Sequence, residues 1–360
     1  MSDHFAHRLA KLQTHIPAET AFFLTTPTDI EYFTGFEVLV PEEREAFLVV
    51  TQHQAFLLHA SFSPAPKENG FKNISGTQLT QLVPHLTTIK SQSPFTMLLV
   101  DKTRLYADEF ETLGSLVDVE LKSLDRKIIW SLRMIKDDVE IAAARRAGEI
   151  ADQAFTQLKP EIQIGMTEKD IQIKLDQLMS NLGSTHPAFP TIVAFGPHGA
   201  LPHHQPTNTV LKSNTPILID FGATYERYRS DCSRSLWFGD QPSIEFTKIK
   251  NLVHEAYDMT MEKLQDHSTP LTAQDVDKTC RTFLTEAGYG NEYIHTTGHG
   301  VGLDIHEPPS LYWKNNLGLS ANMIVTIEPG LYLEGKFGYR WENTVLLTDD
   351  GYELLTHDHV

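Results

Sequence analysis

Five short segments in the C-terminal half of the chain each contain one side chain of a type that binds metal ions. These side chains are Asp220 in I-L-I-D-F-G, Asp231 in R-S-D-C-S-R-S, His299 in T-T-G-H-G-V-G, Glu328 in V-T-I-E-P-G and Glu342 in Y-R-W-E-N. The four carboxylates and one imidazole carry a formal charge of −4, which two divalent cations would neutralise. Burying the carboxylates together without cations would be very costly. The chain must therefore bring distant segments to one site, and the simplest explanation is a two-metal hydrolase.

The ligand motifs lie in segments that are typical of strands. Asp220 and Asp231 flank a turn, which suits a hairpin whose two strands point their carboxylates to the same side. His299 lies between two glycines, whose lack of a Cβ lets the backbone pass close to a metal. His295 and His299 have the spacing of a helical zinc pair, but H-E-x-x-H is absent and T-T-G is poor helix. We therefore predict an irregular strand at His299 and a cleft shared by separated strands.

The remaining pattern predicts two domains with mixed α/β structure. Buried strands are predicted at 21–25, 46–50, 55–58 and 97–100. Helices are predicted at 137–155, after Thr167 with Asp170 completing a capping box, at 244–266 and at 272–287. We place a small N-terminal α/β domain at 1–130 and the catalytic domain at 131–360, with the boundary near 125–136.

Composition and charge exclude some classes of partner. The chain has 360 residues and a formal net charge of −17, which argues against nucleic acid or an anionic membrane surface as partner. It shows neither an apolar run long enough to cross a membrane nor a signal-peptide pattern at its start. Two cysteines cannot form a disulfide framework. We therefore expect a cytoplasmic protein.

The five motifs, in this order, resemble the pita-bread metallopeptidases, the family that holds methionine aminopeptidases, aminopeptidase P and prolidase. The resemblance covers residues 135 to 350 densely and extends more weakly to Y-F-T-G-F at 32–36. Five further residues match positions of the family's active site: His203, His295, His306, Tyr332 and Arg340. The resemblance implies a small α/β domain followed by a pita-bread catalytic domain with pseudo-symmetric halves.

The resemblance also implies a role for each ligand. Asp220 would bind one metal through both oxygens, and His299 would be the only imidazole ligand. Asp231 and Glu342 would bridge both metals. Glu328 would bind one metal and act as the general base that takes a proton from the attacking water. Taken alone, each motif also fits a structural role, such as Asp231 capping a turn.

The other matching residues would serve the substrate. His203 and His306 would steady the carbonyl oxygen as negative charge grows on it. His295 would line the cleft, and Tyr332 and Arg340 would orient ligands and intermediates. The mostly oxygen ligand set favours Mn²⁺ and also admits Co²⁺ or Zn²⁺.

The resemblance leaves the substrate class open. A separate N-terminal domain is shared by aminopeptidase P and prolidase, which cut the bond between an N-terminal residue and proline. Many short prolidases carry an arginine where this chain has Thr296, which favours an aminopeptidase acting on longer proline-containing peptides over a strict dipeptidase. Two observations favour the dipeptidase: other prolidases lack that arginine, and Y-F-T-G-F followed by P-E-E-R resembles a loop of lactic-type prolidases. A pseudo-peptidase that only binds peptides would be expected to have lost ligands. Adjacent His204 remains an alternative to His203. A homodimer is expected from relatives, in which the N-terminal domain of one subunit closes the cleft of the other. The apolar 36–40 segment fits that purpose and fits a strand edge equally well.

Overall fold

The computed structural model describes residues 4–266 and 270–357. These residues form two compact units that divide between Arg133 and Met134. Both units combine helices with sheets, so the fold is of the mixed α/β type. None of the helices in the described ranges is long and apolar enough to span a membrane.

The first unit is built on one six-stranded sheet with the strand order β4-β3-β2-β1-β5-β6. Its elements are α1 (His4–Gln13), β1 (Thr20–Leu24), α2 (Pro27–Thr34), β2 (Ala46–Thr51), β3 (Ala55–His59), β4 (Lys72–Ser75), α3 (Leu79–Gln92), β5 (Met97–Val100), α4 (Ala107–Leu113), β6 (Glu120–Ser123) and α5 (Lys127–Arg133). Strand β2 runs antiparallel to β1 and β3, while the other pairs are parallel. The four predicted strands are confirmed as β1, β2, β3 and β5.

The second unit contains the segments that carry the predicted ligands. Its elements are α6 (Asp138–Leu158), α7 (Glu168–Asn181), β7 (Ile192–Phe195), β8 (Thr215–Phe221), β9 (Thr224–Tyr225), β10 (Tyr228–Arg229), β11 (Cys232–Phe238), α8 (Ile244–Gln265), α9 (Ala273–Glu286), β12 (Gly298–Gly300), β13 (Glu307–Leu311), β14 (Ile324–Ile327), β15 (Gly330–Leu333), β16 (Phe337–Arg340), β17 (Asn343–Thr348) and β18 (Gly351–Leu354).

The helix boundaries of this unit follow from local capping. The Thr167 hydroxyl accepts a hydrogen bond from the Asp170 backbone N–H at 3.1 Å, and the Asp170 carboxylate accepts one from the Thr167 N–H at 2.8 Å. This is the predicted capping box, which satisfies donors that a helix start leaves unpaired. Helix α9 ends at Glu286, two residues before Gly288, whose φ of 90° suits a residue without a Cβ.

The two larger sheets of the second unit are each packed against a pair of helices, and two-stranded sheets are formed by β9 with β10 and by β15 with β16. The antiparallel sheet β11-β8-β7 packs against α6 and α7 through a core that includes Phe155, Leu175 and Phe221. The five-stranded sheet β13-β12-β14-β17-β18 packs against α8 and α9 through Val253 and Val276. The helices cover one face of each sheet. The polar side chains of the predicted ligands can therefore lie on the opposite faces and converge on one site.

Candidate metal centre and active site

All five predicted metal ligands line one cavity of about 740 Å³ in the second unit. His203, His295, His306 and Arg340 line the same cavity. Tyr332 lies beside it, with its hydroxyl 2.9 Å from Nε2 of His295 and 2.8 Å from Nη1 of Arg340. The fold therefore brings together every residue that the sequence singled out for this site.

Asp220 and Asp231 come from the paired strands of the first sheet. Asp220 lies on β8 opposite Ser233, and Asp231 immediately precedes β11. The Asp231 backbone N–H donates to the Thr344 hydroxyl at 2.9 Å, and that hydroxyl donates to the Asp231 carbonyl at 2.7 Å. These two bonds attach the residue before β11 to β17. The three-stranded sheet that carries Asp220 is thereby joined to the five-stranded sheet at the cavity.

His299 lies on the short strand β12, where the pairing with β13 is irregular. The predicted irregular strand is confirmed, and the flanking glycines are required. A Cβ on Gly298 would lie 1.9 Å from the Thr326 carbonyl oxygen, and one on Gly300 would lie 2.4 Å from that of Pro308. The His299 backbone N–H donates to the Thr326 hydroxyl at 3.0 Å. The imidazole is thus held between two closely packed strands.

The ring of His299 presents a lone pair to two carboxylates. Nδ1 lies 3.1 Å from the Gly300 carbonyl oxygen, which can only accept, so Nδ1 carries the proton. Burial, and after it the neighbouring His306, lowers the pKa of His299 to about 3, so the ring is neutral. Nε2 then faces Oδ2 of Asp231 at 3.6 Å and Oε1 of Glu328 at 3.5 Å with no proton to donate. A cation between these atoms would remove the repulsion.

Glu328 and Glu342 lie next to the ends of two strands, β14 and β17, of the five-stranded sheet. Glu328 follows β14, and its backbone N–H donates to the Thr297 carbonyl at 2.9 Å. Glu342 lies between β16 and β17 with 1% of its surface exposed. Its Oε2 is 2.6 Å from the hydroxyl of Ser233. Both glutamates therefore reach the cavity from backbone that neighbouring strands hold in place.

Arg340 is the cation that contacts the carboxylate cluster directly. It is 3% exposed, and its Nη2 forms an ion pair with Oδ2 of Asp220. Its Nε donates to the Ser233 hydroxyl at 2.6 Å, and that hydroxyl lies 3.0 Å from Oδ1 of Asp220. One guanidinium cannot balance four carboxylates.

The remaining negative charge strongly perturbs the acids. Burial raises the pKa of Asp231 well above its ordinary value, and neighbouring carboxylates, that of Glu342 foremost, raise it further. Burial and then the Glu342 carboxylate likewise raise the pKa of Glu328 well above its ordinary value. Burial and then Asp220 raise the pKa of Glu342 to about 7. The cluster as a whole therefore attracts cations, whether protons or metal ions.

The donor set fits a metal centre. One donor atom from each of Asp231, His299 and Glu342 lies within 4.8 Å of the others. One divalent cation can contact such a group, since metal–ligand distances are about 2.0 to 2.6 Å. Asp220 shares the hydroxyl of Ser233 with Glu342, so its carboxylate adjoins the same space.

His295, Tyr332 and Arg340 form one hydrogen-bonded chain. Nδ1 of His295 lies 2.7 Å from the Thr296 carbonyl oxygen and must carry the proton. Burial, and after it the Arg340 guanidinium, lowers the pKa of His295 to about 4, so Nε2 is an acceptor at neutral pH. The Tyr332 hydroxyl therefore donates to His295 and accepts from Arg340. Both ring nitrogens of His295 thus have protein partners, which orients the imidazole beside the cavity.

The adjacent histidines 203 and 204 have different surroundings. His203 is exposed to the cavity, whereas His204 is 8% exposed and lies with Nε2 3.0 Å from Oε2 of Glu168. The ring of His306 stands edge-on to that of His299 at 4.4 Å. Among the described residues, neither His203 nor His306 has a side-chain hydrogen-bond partner. Their ring nitrogens are therefore available to a bound molecule.

Comparison with known proteins identifies the family. The model for metallopeptidase family M24 matches residues 142–349, and that for the creatinase/prolidase N-terminal domain matches residues 8–135. The chain belongs to metallopeptidase family M24. An uncharacterised peptidase from Staphylococcus aureus is 34% identical over 344 residues, which is 94% of each chain. The pita-bread fold expected from the sequence motifs is thereby confirmed.

Two solved structures of M24 relatives cover nearly the whole chain. An Xaa-Pro dipeptidase from Bacillus anthracis has a TM-score of 0.88 and 27% identity, with 98% of both chains covered. An X-Pro aminopeptidase from Thermotoga maritima has a TM-score of 0.84 and 30% identity, covering 97% of this chain and 98% of its own. M24 enzymes depend on a dinuclear metal centre, which agrees with the donor set described above.

Sequence reasoning missed several residues of this M24 site. Ser233 contacts three charged groups. Side chains two residues apart on a strand point to the same side, so the position two residues after Asp231 could have identified Ser233. Asp277 on α9 accepts from the backbone and hydroxyl of Thr297 at 3.1 and 2.9 Å, and its partner Arg281 donates to the His295 carbonyl at 2.8 Å. This pair is separated by one helical turn, but no signal in the sequence links it to the strand that it supports.

Proposed function

We propose that this M24 protein is a dinuclear-metal exopeptidase that releases an N-terminal residue preceding proline, with peptides longer than dipeptides among its substrates. The observation that carries the proposal is the set of five donors in one cavity, beside the imidazoles of His203 and His306, for which the described residues offer no hydrogen-bond partner. The Xaa-Pro specificity rests on the similarity to the Xaa-Pro dipeptidase from Bacillus anthracis and the X-Pro aminopeptidase from Thermotoga maritima.

The chain's own residues can perform the steps of peptide hydrolysis. Two divalent cations held by the five donors would act as Lewis acids that lower the pKa of water and polarise the scissile carbonyl. Glu328 faces the cavity from a fixed strand end and would accept the proton of the attacking water. His203 and His306 would donate to the carbonyl oxygen as its charge grows, because their ring nitrogens are not used by other described residues.

The choice of an aminopeptidase over a dipeptidase rests on the charges of the cavity. A dipeptidase benefits from a cation that binds the carboxylate of its C-terminal proline. Of the described residues that line the cavity, Arg340 is the only lysine or arginine, and it is paired with Asp220. Thr296 lines the wall where a prolidase-type arginine would stand. The described part of the cavity wall therefore offers no unpaired lysine or arginine to a substrate carboxylate.

A strict Xaa-Pro dipeptidase is the second candidate. It is favoured by the high similarity to the Bacillus anthracis dipeptidase, whose TM-score of 0.88 exceeds the 0.84 of the Thermotoga maritima aminopeptidase. Under this alternative, the histidines of the cavity would have to replace the missing arginine in binding the carboxylate.

The test is turnover of Ala-Pro beside Ala-Pro-Ala by protein reconstituted with Mn²⁺, each with an EDTA control. Release of alanine from the tripeptide establishes the aminopeptidase. Cleavage confined to the dipeptide refutes it and establishes the second candidate. Lack of cleavage of both peptides by protein shown to hold metal would indicate a binding protein that retains the fold without the activity.

Two further parts of the proposal concern the metal and the assembly. We expect Mn²⁺ to support the highest activity, with Co²⁺ or Zn²⁺ as alternatives, because four of the five donors are carboxylates. A homodimer is the expected assembly, and Leu39 in the 36–40 segment is 70% exposed. Light scattering should then give about twice the chain mass of 40.6 kDa.

A further inference from the structure

Glu168, the first residue of α7, is a fully buried carboxylate that lies outside the cavity. Its Oε1 accepts from the backbone N–H of Phe195 at 2.8 Å and lies 2.7 Å from Nδ1 of His198. Its Oε2 accepts from the backbone N–H and hydroxyl of Thr207 at 2.8 and 2.7 Å and lies 3.0 Å from Nε2 of His204. Five donors thus converge on one side chain.

All five donors belong to a single segment, residues 195–207, which begins at the last residue of β7 and forms the first part of the connection to β8. This segment contains His203, whose ring faces the cavity. The segment contains a 3-10 helix at Gly196–Ala200, which is followed by backbone hydrogen bonds of Leu201 to His198 and of His204 to Leu201, at 3.0 and 3.1 Å. The Lys169 backbone N–H of α7 also donates to the Thr207 carbonyl at 3.2 Å. The five contacts with Glu168 add to this bond and attach both ends and the middle of the segment to the start of α7.

The Glu168 carboxylate is ionised and acts only as an acceptor. Burial alone would raise its pKa, but the bonds from His204, Thr207, His198 and Phe195 outweigh burial and lower the pKa to about 2. Because an ionised carboxylate cannot donate, the facing nitrogens of His198 and His204 carry protons. No lysine or arginine in the described ranges pairs with Glu168.

Donor atoms of Glu168, His198 and His204 lie close enough together to suggest a cation site. However, the N–H groups of Phe195 and Thr207 point at both carboxylate oxygens, and their positive ends would repel a cation. The ring protons occupy the positions that a metal would need. The cluster is therefore better explained as a hydrogen-bonded support.

The supported segment approaches the active-site strands at a second point. A Cβ on Gly338 of β16 would lie 1.9 Å from the Gly199 carbonyl oxygen, so the two backbones are in direct contact. Arg340 lies two residues farther along the same strand. His203 lacks a partner of its own among the described residues, so its position depends on these attachments and on its covalent neighbour His204.

We propose that Glu168 is a positioning residue that acts through His204 to hold His203 at the reacting carbonyl. The inference rests on the proposed function, because it assigns His203 a role in peptide hydrolysis. Glu168 itself does not line the cavity and contacts neither the predicted ligands nor the cavity histidines. Its effect should therefore appear only when the His203 imidazole is present.

The test is a double-mutant cycle with Glu168→Gln and His203→Ala, assayed on Ala-Pro-Ala and Ala-Pro with Mn²⁺-loaded protein. Small misplacements of a catalytic group cost about 100-fold in rate. We expect Glu168→Gln to lower kcat on the order of 10- to 100-fold with KM changed less than about threefold. In the His203→Ala background the same substitution should lower kcat by less than about twofold. Metal content should match that of the wild type in each variant.

Two additional variants make the cycle decisive. Glu161→Gln is the matched control, since Glu161 is a half-exposed carboxylate that pairs with Lys174 of α7, the helix that begins with Glu168. It should leave kcat and KM unchanged. His204→Asn removes one of the five contacts and serves if Glu168→Gln does not fold. It should show the same dependence on His203.

The outcomes separate the inference from the function on which it rests. The positioning role is overturned if Glu168→Gln lowers kcat equally in the wild-type and His203→Ala backgrounds. It is also overturned if Glu168→Gln and His204→Asn both retain the wild-type kcat. In either case, cleavage of the peptides by the wild-type protein still supports the proposed function. Failure of the wild-type protein to cleave either peptide refutes the proposed function and, with it, the role of His203.

Discussion

Ser233 provides a direct test of how the ligand cluster is organised, because its hydroxyl contacts three charged groups. The oxygen is 3.0 Å from Oδ1 of Asp220, 2.6 Å from Oε2 of Glu342 and 2.6 Å from Nε of Arg340, and the residue is fully buried. The hydroxyl has one proton to donate, so it serves one carboxylate at a time while accepting from the arginine. The substitution Ser233→Ala removes these contacts with little change in shape.

The expected size follows from the groups that lose a partner. Hydrogen bonds to charged groups contribute about 1.5 to 3 kcal/mol each, and an unpaired buried donor is costly. The metal-free variant should lose roughly 2 to 4 kcal/mol of stability, or about 5 to 15 °C in Tm. Loss of a residue that orients metal ligands weakens metal binding about 10- to 100-fold. We expect that reduction in Mn²⁺ affinity for Ser233→Ala.

Ser235→Ala is the matched control. Ser235 lies two residues farther along β11 and is 6% exposed. Among the described residues its hydroxyl bonds only to the backbone of Arg340, with both distances 3.0 Å. Its removal should lower stability by about 1 to 2 kcal/mol but change Mn²⁺ affinity less than about threefold. The assay is calorimetric titration of chelator-stripped protein with Mn²⁺, together with activity as a function of free Mn²⁺. Equal weakening by both substitutions, or unchanged affinity of Ser233→Ala, would refute the reasoning.

Three further predictions concern the metal, the substrate and pH. Chelation should abolish cleavage and should lower Tm by roughly 5 to 10 °C relative to protein at a metal concentration about 100 times Kd. Added Mn²⁺ should restore both the cleavage and the Tm. A Tm that does not respond to the chelator would contradict a contribution of the metals to stability. Thr296→Arg should raise kcat/KM for Ala-Pro relative to Ala-Pro-Ala by about 10- to 100-fold, because a guanidinium would face the dipeptide carboxylate, whereas Thr296→Met should not. Burial alone would raise the pKa of Glu168, but hydrogen bonds from His204, Thr207 and others outweigh burial and lower the pKa from 4.5 to about 2. The contribution of Glu168 to folding stability is therefore fully present above pH 4.5 and is lost as the pH falls through 2. The contribution amounts to about 3 kcal/mol, so the unfolding free energy of the wild type should fall more steeply below pH 5 than that of Glu168→Gln. If the unfolding free energies of the two proteins fell in parallel with pH, an ionised Glu168 would be disproved.

Local signals explain the elements that the sequence predicted well. The strands β1, β2 and β3 are buried along their whole length, and continuous apolar runs identify such strands. The start of α7 was predicted from Thr167 and Asp170 because capping depends on four neighbouring residues only. The ligand motifs were informative for a similar reason, since each joins a chemically unusual side chain to a strand end.

Other elements could not be predicted because their cause is not local. Strands β4 and β6 form the two edges of the first sheet, and most of their residues are partly or fully exposed. Such strands lack the apolar pattern that identifies buried ones. The choice between His203 and His204 depends on Glu168, which is distant in sequence, so no pattern of neighbours could separate them. Ser233 had a usable signal, but its importance follows only from the convergence of three charged groups on it.

Hydroxyl groups explain how a cluster of mutually repelling acids keeps its shape. The hydroxyl of Thr344 holds the backbone of Asp231, and that of Thr326 accepts from the His299 backbone and lies 3.4 Å from Oε1 of Glu328. A hydroxyl can donate to an ionised carboxylate and accept from an N–H group, and it adds no net charge to the cluster. Threonine also suits strands, because its branched side chain packs well on a pleated surface. The supporting residues therefore fit the sheets that carry them, while the ligands leave a negative charge that divalent cations can balance.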